Sequence, residues 1–223
     1  MIYMIVYIDE SSRDGTISLG FYLSKGFDRN LRDYIAQVYS KIWRMYGIGP
    51  YGGELKFHRF VYELGRRGIM LDGRMFLEIL RNVANYIGDL GFIIGVAIKD
   101  IYSVEILDPS LYQFLMRLRV RRMCVRKFLL IWTTIRMFRI RRIVFDGGFQ
   151  ISVECLKRIL NALGLSMDFL FRSSADTPGL EIADFAAGIA RYLDEVHNVS
   201  LLWIGNCRIL NIQPRIVKKY NSQ

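Results

Sequence analysis

Met1–Ser12, MIYMIVYIDESS, sets the frame for the rest of the chain. Its first eight residues are all apolar or aromatic, with β-branched Ile and Val among them. That is the composition of a strand buried on both faces, and it is too short to cross a bilayer. Asp9 and Glu10 follow without a break. A carboxylate at the end of a buried strand is costly unless a cation, a hydrogen-bond network or a metal meets it. Two readings compete. Either Asp9 caps a turn while Glu10 stays in water, or the pair belongs to a site to which other carboxylates contribute.

The polar link through Asp14 and Gly15 predicts a hairpin to a second strand, Thr16 to Leu23. Apolar spacing then predicts a helix over Phe27 to Tyr46, stopped by Gly47. A Gly/Pro-rich loop leads into Glu54-Leu55-Lys56-Phe57-His58, and a second amphipathic helix covers Gly73 to Ile87. Phe92 to Ile98 is a third strand. Asp108-Pro109 opens one long helix to about Phe138, Asp as cap and Pro in the first turn. Ile143 to Phe145 is a short strand before Asp146-Gly147-Gly148. Ser152 to Leu163 is helical, Met167 to Phe171 a fifth strand, and Leu180 to Glu195 a final helix behind Pro178-Gly179. The expectation is one domain over residues 1–223, with a helical insertion at about 27–90 and an unassigned tail at about 200–223. The order is α/β, with antiparallel pairing early and parallel crossovers late.

The chain has 223 residues, 52% hydrophobic and 23% charged, which describes a folded globular protein rather than a disordered one. No apolar run reaches bilayer length and nothing resembles a signal peptide, so no membrane partner is expected. Cys124, Cys155 and Cys207 form neither a zinc pattern nor a disulfide framework, which suits a reducing cytoplasm. The net charge of +10 points to an anionic partner such as nucleic acid, against the alternatives of a basic proteome or a heat-adapted surface. Arg117, Arg119, Arg121, Arg122, Arg126 and Lys127 concentrate that charge on the long helix. They are candidate nucleic-acid contacts, set against the ordinary use of Arg along apolar surfaces with its head in water.

Asp9 and Asp146 each end a buried apolar strand. If the two strands are parallel neighbours, both carboxylates emerge at one sheet edge, where open α/β sheets form sites. Asp146 before Gly-Gly also reads as a turn former. Asp184 lies in an apolar, Ala-rich helix, where it is no solubility device. Converging carboxylates repel unless a cation joins them, and all-oxygen ligands select Mg²⁺ or Mn²⁺ over Zn²⁺. Two such ions clamp the attacking and leaving oxygens in phosphoryl transfer. With only two His, a histidine-rich metal site is not expected.

YIDESS (7–12), ELKF (54–57), IVFDGG (143–148) and SSADTPGLEIADFAAGIARY (173–192), in that order, resemble domain-of-unknown-function family 3800. That family begins with a Tyr-Ile-Asp-Glu-Ser-Gly-like strand, continues with Glu-x-Lys and carries a late Gly-Leu-x-x-Ala-Asp helix. Ser12 stands where Gly is usual. The resemblance spans about residues 3 to 195. It implies a ribonuclease H-like fold: a central five-stranded mixed sheet, three antiparallel strands and then two parallel to the first, with helices on both faces. It also implies that Asp9, Glu54, Asp146 and Asp184 are the metal ligands, with Glu54 as the Glu of Glu-x-Lys.

The function expected is a Mg²⁺- or Mn²⁺-dependent nuclease, or a related phosphoryl-transfer enzyme, acting on DNA or RNA. Lys56 would neutralise a phosphate, and Glu10 and Asp176 are further candidates. The alternatives are a non-catalytic nucleic-acid-binding module of a mobile-element or defence system, and a purely structural role in which the carboxylates pair with Arg.

Overall fold

The computed structural model describes residues 4–13, 16–24, 31–49, 54, 56–71, 73–88, 92–98, 104–105, 107–197 and 201–204. The strands are β1 (Met4–Arg13), β2 (Thr16–Ser24), β3 (Phe92–Ile98), β4 (Ile140–Asp146), β5 (Asp168–Arg172) and β6 (Leu201–Ile204). The helices are α1 (Leu31–Tyr46), α2 (Phe57–Arg66), α3 (Arg74–Gly88), α4 (Pro109–Met116), α5 (Arg122–Ile135), α6 (Val153–Ala162) and α7 (Pro178–His197). They surround one sheet of order β5-β4-β1-β2-β3-β6. β1, β2 and β3 are successively antiparallel, while β4 runs parallel to β1 and β5 parallel to β4. This is the arrangement expected of a ribonuclease H-like sheet. None of the described helices is long and apolar enough to cross a membrane.

β1 is central because both its faces are apolar. Ile5 and Tyr7 join a core with α1, α2, α3 and α7; Val6 and Ile8 join a second core with α5 and α6. The alternation is the two-residue period of a strand. α7 crosses the first face at very short range. Gly20 and Gly95 are register partners on β2 and β3. A Cβ at Gly20 would lie 1.8 Å from the Ala183 carbonyl oxygen, and one at Gly95 2.7 Å from that of Ala186. Gly188 and Gly179 do the same for the rings of Phe57 and Tyr7, at 2.0 and 2.5 Å. The small residues of the last helix are its packing surface.

Several expectations are corrected. Asp9 does not end β1, which continues to Arg13; it lies one residue beyond the last β1–β4 pair, Ile8 with Phe145. The long basic helix is two helices, because Arg119 adopts φ 53° in the link, a left-handed conformation that interrupts helical hydrogen bonding. Asp108 does cap α4, accepting from the Leu111 N–H at 3.0 Å. Part of the tail forms a sixth strand, β6 pairing with β3, so the sheet is larger than five strands. α2 was not foreseen, although Phe57, Phe60, Val61 and Leu64 at helical spacing are all buried. The helix start expected at 27–30, the loop at 50–53 and the tail beyond 204 lie outside the described residues. Cys124 and Cys155 are disulfide-bonded, linking α5 to α6 across 31 residues, contrary to the expectation of unpaired thiols.

Gly20→Ala should destabilise the protein by about 3 kcal/mol or more, since backbone cannot retreat from backbone. Gly65→Ala, in α2 with nothing within 4 Å of the new methyl, should instead be neutral or stabilising by roughly 0.5–1 kcal/mol. Urea unfolding of both variants measures the contrast.

Candidate carboxylate site

Strand parity decides which side chains can meet. Asp9 shares the α7 face with Ile5 and Tyr7, and Asp146 shares that face with Val144, the register partner of Tyr7. Glu10 points the opposite way, toward α5. There Lys127 Nζ holds its Oε2 at 2.6 Å, with the ammonium 5.1 Å from the Phe149 ring. Glu10 is therefore the acidic half of a largely buried ion pair and, though a further candidate beside Asp9 in sequence, faces away from it.

Asp9 is 8% exposed and accepts the Glu10 N–H at 2.7 Å. The residue opposite it on β2 is Gly20, so no side chain screens it from α7. Asp184, next to Ala183, enters at that point. Burial, then the charges of Asp184 and Asp146, push the Asp9 carboxyl up to about 7; the Glu10 N–H and Lys56 only partly oppose this. Asp184 is also raised, mainly by burial. Its Oδ2 accepts the Phe57 N–H at 2.8 Å, so it also caps the first turn of α2, and Lys56 and His58 further favour its charge. Asp146 accepts the Gly148 N–H at 2.8 Å. Its turn-forming role and its proximity to Asp9 coexist.

Lys56 joins these groups to Glu54. Its Nζ stands 2.9 Å from Glu54 Oε1 and donates to the Ser174 hydroxyl. Burial works against the ammonium, but the Glu54 hydrogen bond and the charges of Asp184, Glu54 and Asp9 outweigh it and hold the pKa above the ordinary range. Burial likewise opposes the Glu54 carboxylate, and its bonds to Lys56 and Ser174 bring it below the usual range. Ser174 was not anticipated; its signal was the Ser-Ser-Ala-Asp-Thr-Pro turn ahead of α7. Asp176, in the same turn, is exposed.

The donor set, carboxylate oxygens on one face of a sheet edge, has the chemistry of a hard divalent cation site. A cation would offset both the burial and the repulsion that raise Asp9. Among the described residues, no three acidic, His or Cys side chains stand close enough together to enclose a metal ion. Glu54 is turned onto Lys56, so closing the set would require its carboxylate to leave that pair.

The basic helix divides into two groups. Arg126 and Lys127 are 6% and 3% exposed and bonded to Glu105 and Glu10, which corrects their assignment to an outer binding face. Arg117, Arg119, Arg121 and Arg122 are exposed at the break between α4 and α5.

No family model matches the chain. No curated protein matches it either. Among solved structures it is similar to the ribonuclease H2 from Pyrococcus horikoshii OT3, at 12% identity and TM-score 0.43, over 86% of this chain and 72% of that one. It is also similar to a chain of the PCNA:RNase HII complex from Archaeoglobus fulgidus, at 14% identity and TM-score 0.43, over 87% and 77%. At these values neither likeness carries an argument about activity.

An acid whose pKa is raised by folding binds its proton more tightly in the folded state. Its contribution to stability is then greatest below the unfolded pKa and falls as pH rises toward the folded one. For Asp9 the window runs from 3.8 to about 7. In metal-free buffer, wild type should lose on the order of 4 kcal/mol more stability across that window than Asp9→Asn does. Urea unfolding at pH 4.5 and 7.5, which spans about 3 kcal/mol of that difference, measures this; equal losses in the two proteins would contradict the raised Asp9 pKa.

Proposed function

We propose that the chain is a metal-dependent nuclease, or a related phosphoryl-transfer enzyme, that cuts DNA or RNA at the Asp9 edge of the sheet. Membership of family 3800 belongs to the same proposal. The observation that carries it is the buried Asp9 carboxyl, which feels the charges of Asp184 and Asp146 and forms no ion pair with a cation among the described residues. Structural carboxylates are normally given such a partner, as Glu10 is given Lys127. A buried acid kept close to two others is the arrangement expected of a site that binds positive charge.

Asp9, Asp146 and Asp184 would hold Mg²⁺ or Mn²⁺, two ions in the full reading, with Glu54 joining them. Bound there, the metal supplies an activated water and stabilises charge developing on the phosphate. Lys56, charged at neutral pH, would bind a phosphate oxygen once released from Glu54, while Ser174 keeps the ammonium in place. Asp184 has two oxygens, so it can cap α2 through one and face the site with the other. The four exposed Arg residues from the end of α4 to the start of α5 would add a sequence-independent attraction for the phosphate backbone.

Purified protein should cleave at least one member of a panel of single- and double-stranded DNA and RNA, in the presence of Mg²⁺ or Mn²⁺ but not in EDTA. Asp9→Asn should lower the rate by about a hundredfold or more while nucleic-acid binding persists. Mn²⁺ should also raise the melting temperature of wild type beyond the effect of NaCl at equal ionic strength, and most of that rise should be lost in Asp146→Asn. Binding without cleavage across the whole panel would support a non-catalytic module and overturn the nuclease reading.

Replacing Arg119 and Arg122 together by Ala should flatten the dependence of the binding constant on salt, by a log–log slope of about 1–2. An unchanged slope would put the electrostatic contact on another face.

A further inference from the structure

We propose that the cleft between α1 and α2 is a subsite for an unpaired nucleotide of a single-stranded nucleic acid, its base stacked on the Trp43 indole. The placement of the neighbouring phosphate rests on the nuclease reading, and the stacking does not. The cleft has a volume of about 510 Å³ and is lined by Trp43, Gly49, Arg59 and Tyr62, and by Glu54 and Lys56, which it shares with the carboxylate site. That volume suits a small organic ligand such as one nucleotide.

Trp43 is 58% exposed and Tyr62 65% exposed, so two large aromatic rings face solvent in one cleft. The Trp43 ring is held in place. A Cβ at Gly49 would fall 2.5 Å from its Cε3 atom, so the indole lies directly on bare backbone. The wall behind it is also fixed. The Arg67 guanidinium donates to the carbonyl oxygens of Tyr46 and Gly47, the latter at 2.8 Å, which ties the end of α1 to α2. Gly47, at φ 63°, turns the chain there in a conformation that a side chain disfavours.

A seated indole with much of its surface open offers a flat, preorganised platform to a planar partner. Nucleobases are flat, and each stacks on such a platform whatever its sequence. The cations Lys56, Arg59 and Arg67 line the same cleft with the acids Glu54 and Glu63, which suits a ligand carrying both a π-face and a phosphate. In a duplex both faces of a base are already stacked on neighbours, so the subsite selects unpaired strands. The chain's net charge of +10 favours such a polyanion over an apolar peptide.

The test uses fluorescein-labelled ten-mers of deoxyuridylate, of uridylate and of abasic deoxyribose phosphate, with binding read by anisotropy in EDTA. The three probes carry the same phosphates; only the abasic one lacks bases. Wild type should bind the base-bearing strands about tenfold more tightly than the abasic strand, within the range set by stacking of one or two bases. Trp43→Ala should remove most of that preference, and Trp43→Tyr should restore part of it. The two base-bearing probes assign the sugar. Equal affinity for base-bearing and abasic strands would overturn the subsite, and so would a preference unchanged in Trp43→Ala. A Trp43-dependent preference in a protein that cleaves nothing would remove the nuclease reading and leave the subsite standing. Asp9-dependent cleavage without a base preference would do the reverse.

Discussion

The contact of the α7 backbone with bare strands at Gly20 and Gly95 is the constraint from which the rest follows. With any side chain at Gly20 the helix would stand off the sheet. Asp184 would withdraw with it, and Asp9 would face either solvent or a gap. Gly20 is also the cross-strand partner of Asp9, so the missing side chain both admits the helix and uncovers the carboxyl. The same helix seats Phe57 on Gly188 and accepts the Phe57 N–H on Asp184, which fixes the start of α2 and with it Lys56. One close approach therefore orders three of the groups around the site.

Asp9 and Glu10 show how strand parity gives adjacent acids different chemistry. Glu10 is partnered in the usual way of a buried acid, by Lys127 at 2.6 Å, and serves the core between the sheet and α5. Asp9, one residue earlier and on the opposite face, is given two more carboxylates instead. The cost appears as a proton held to about pH 7. A buried charge pair is at best neutral for stability, whereas a buried like-charge cluster is unfavourable and persists where something outside the chain can offset it.

Much of this was legible from residue order. The apolar run before Asp9 and that before Asp146 identify two buried strands, and parallel pairing brings their carboxylates to one edge. The Ala- and Gly-rich face around Asp184 indicates a helix pressed on a sheet. Local pattern could not reveal three other features. Apolar periodicity is unbroken through Leu115 to Leu130, so nothing in it signals the left-handed Arg119 that splits the helix. Arg126 and Lys127 look like their exposed neighbours, and only the tertiary positions of Glu105 and Glu10 draw them inside. Cys124 and Cys155 are far apart in sequence, and their bond depends on α5 packing against α6. That bond also runs against a simple reducing-compartment reading, for which intracellular proteins of hyperthermophiles are the known exception.

The proposed nuclease depends on a divalent cation bound at the Asp9 edge through carboxylates of β1, β4 and α7. A crystal soaked in Mn²⁺ and measured for anomalous scattering tests it directly. An anomalous peak should appear in contact with the Asp9 carboxylate and with Asp146 or Asp184, accompanied by movement of Glu54 away from Lys56. Mn²⁺ peaks confined to surface carboxylates, with the Glu54–Lys56 pair intact and Asp9 untouched, would contradict it.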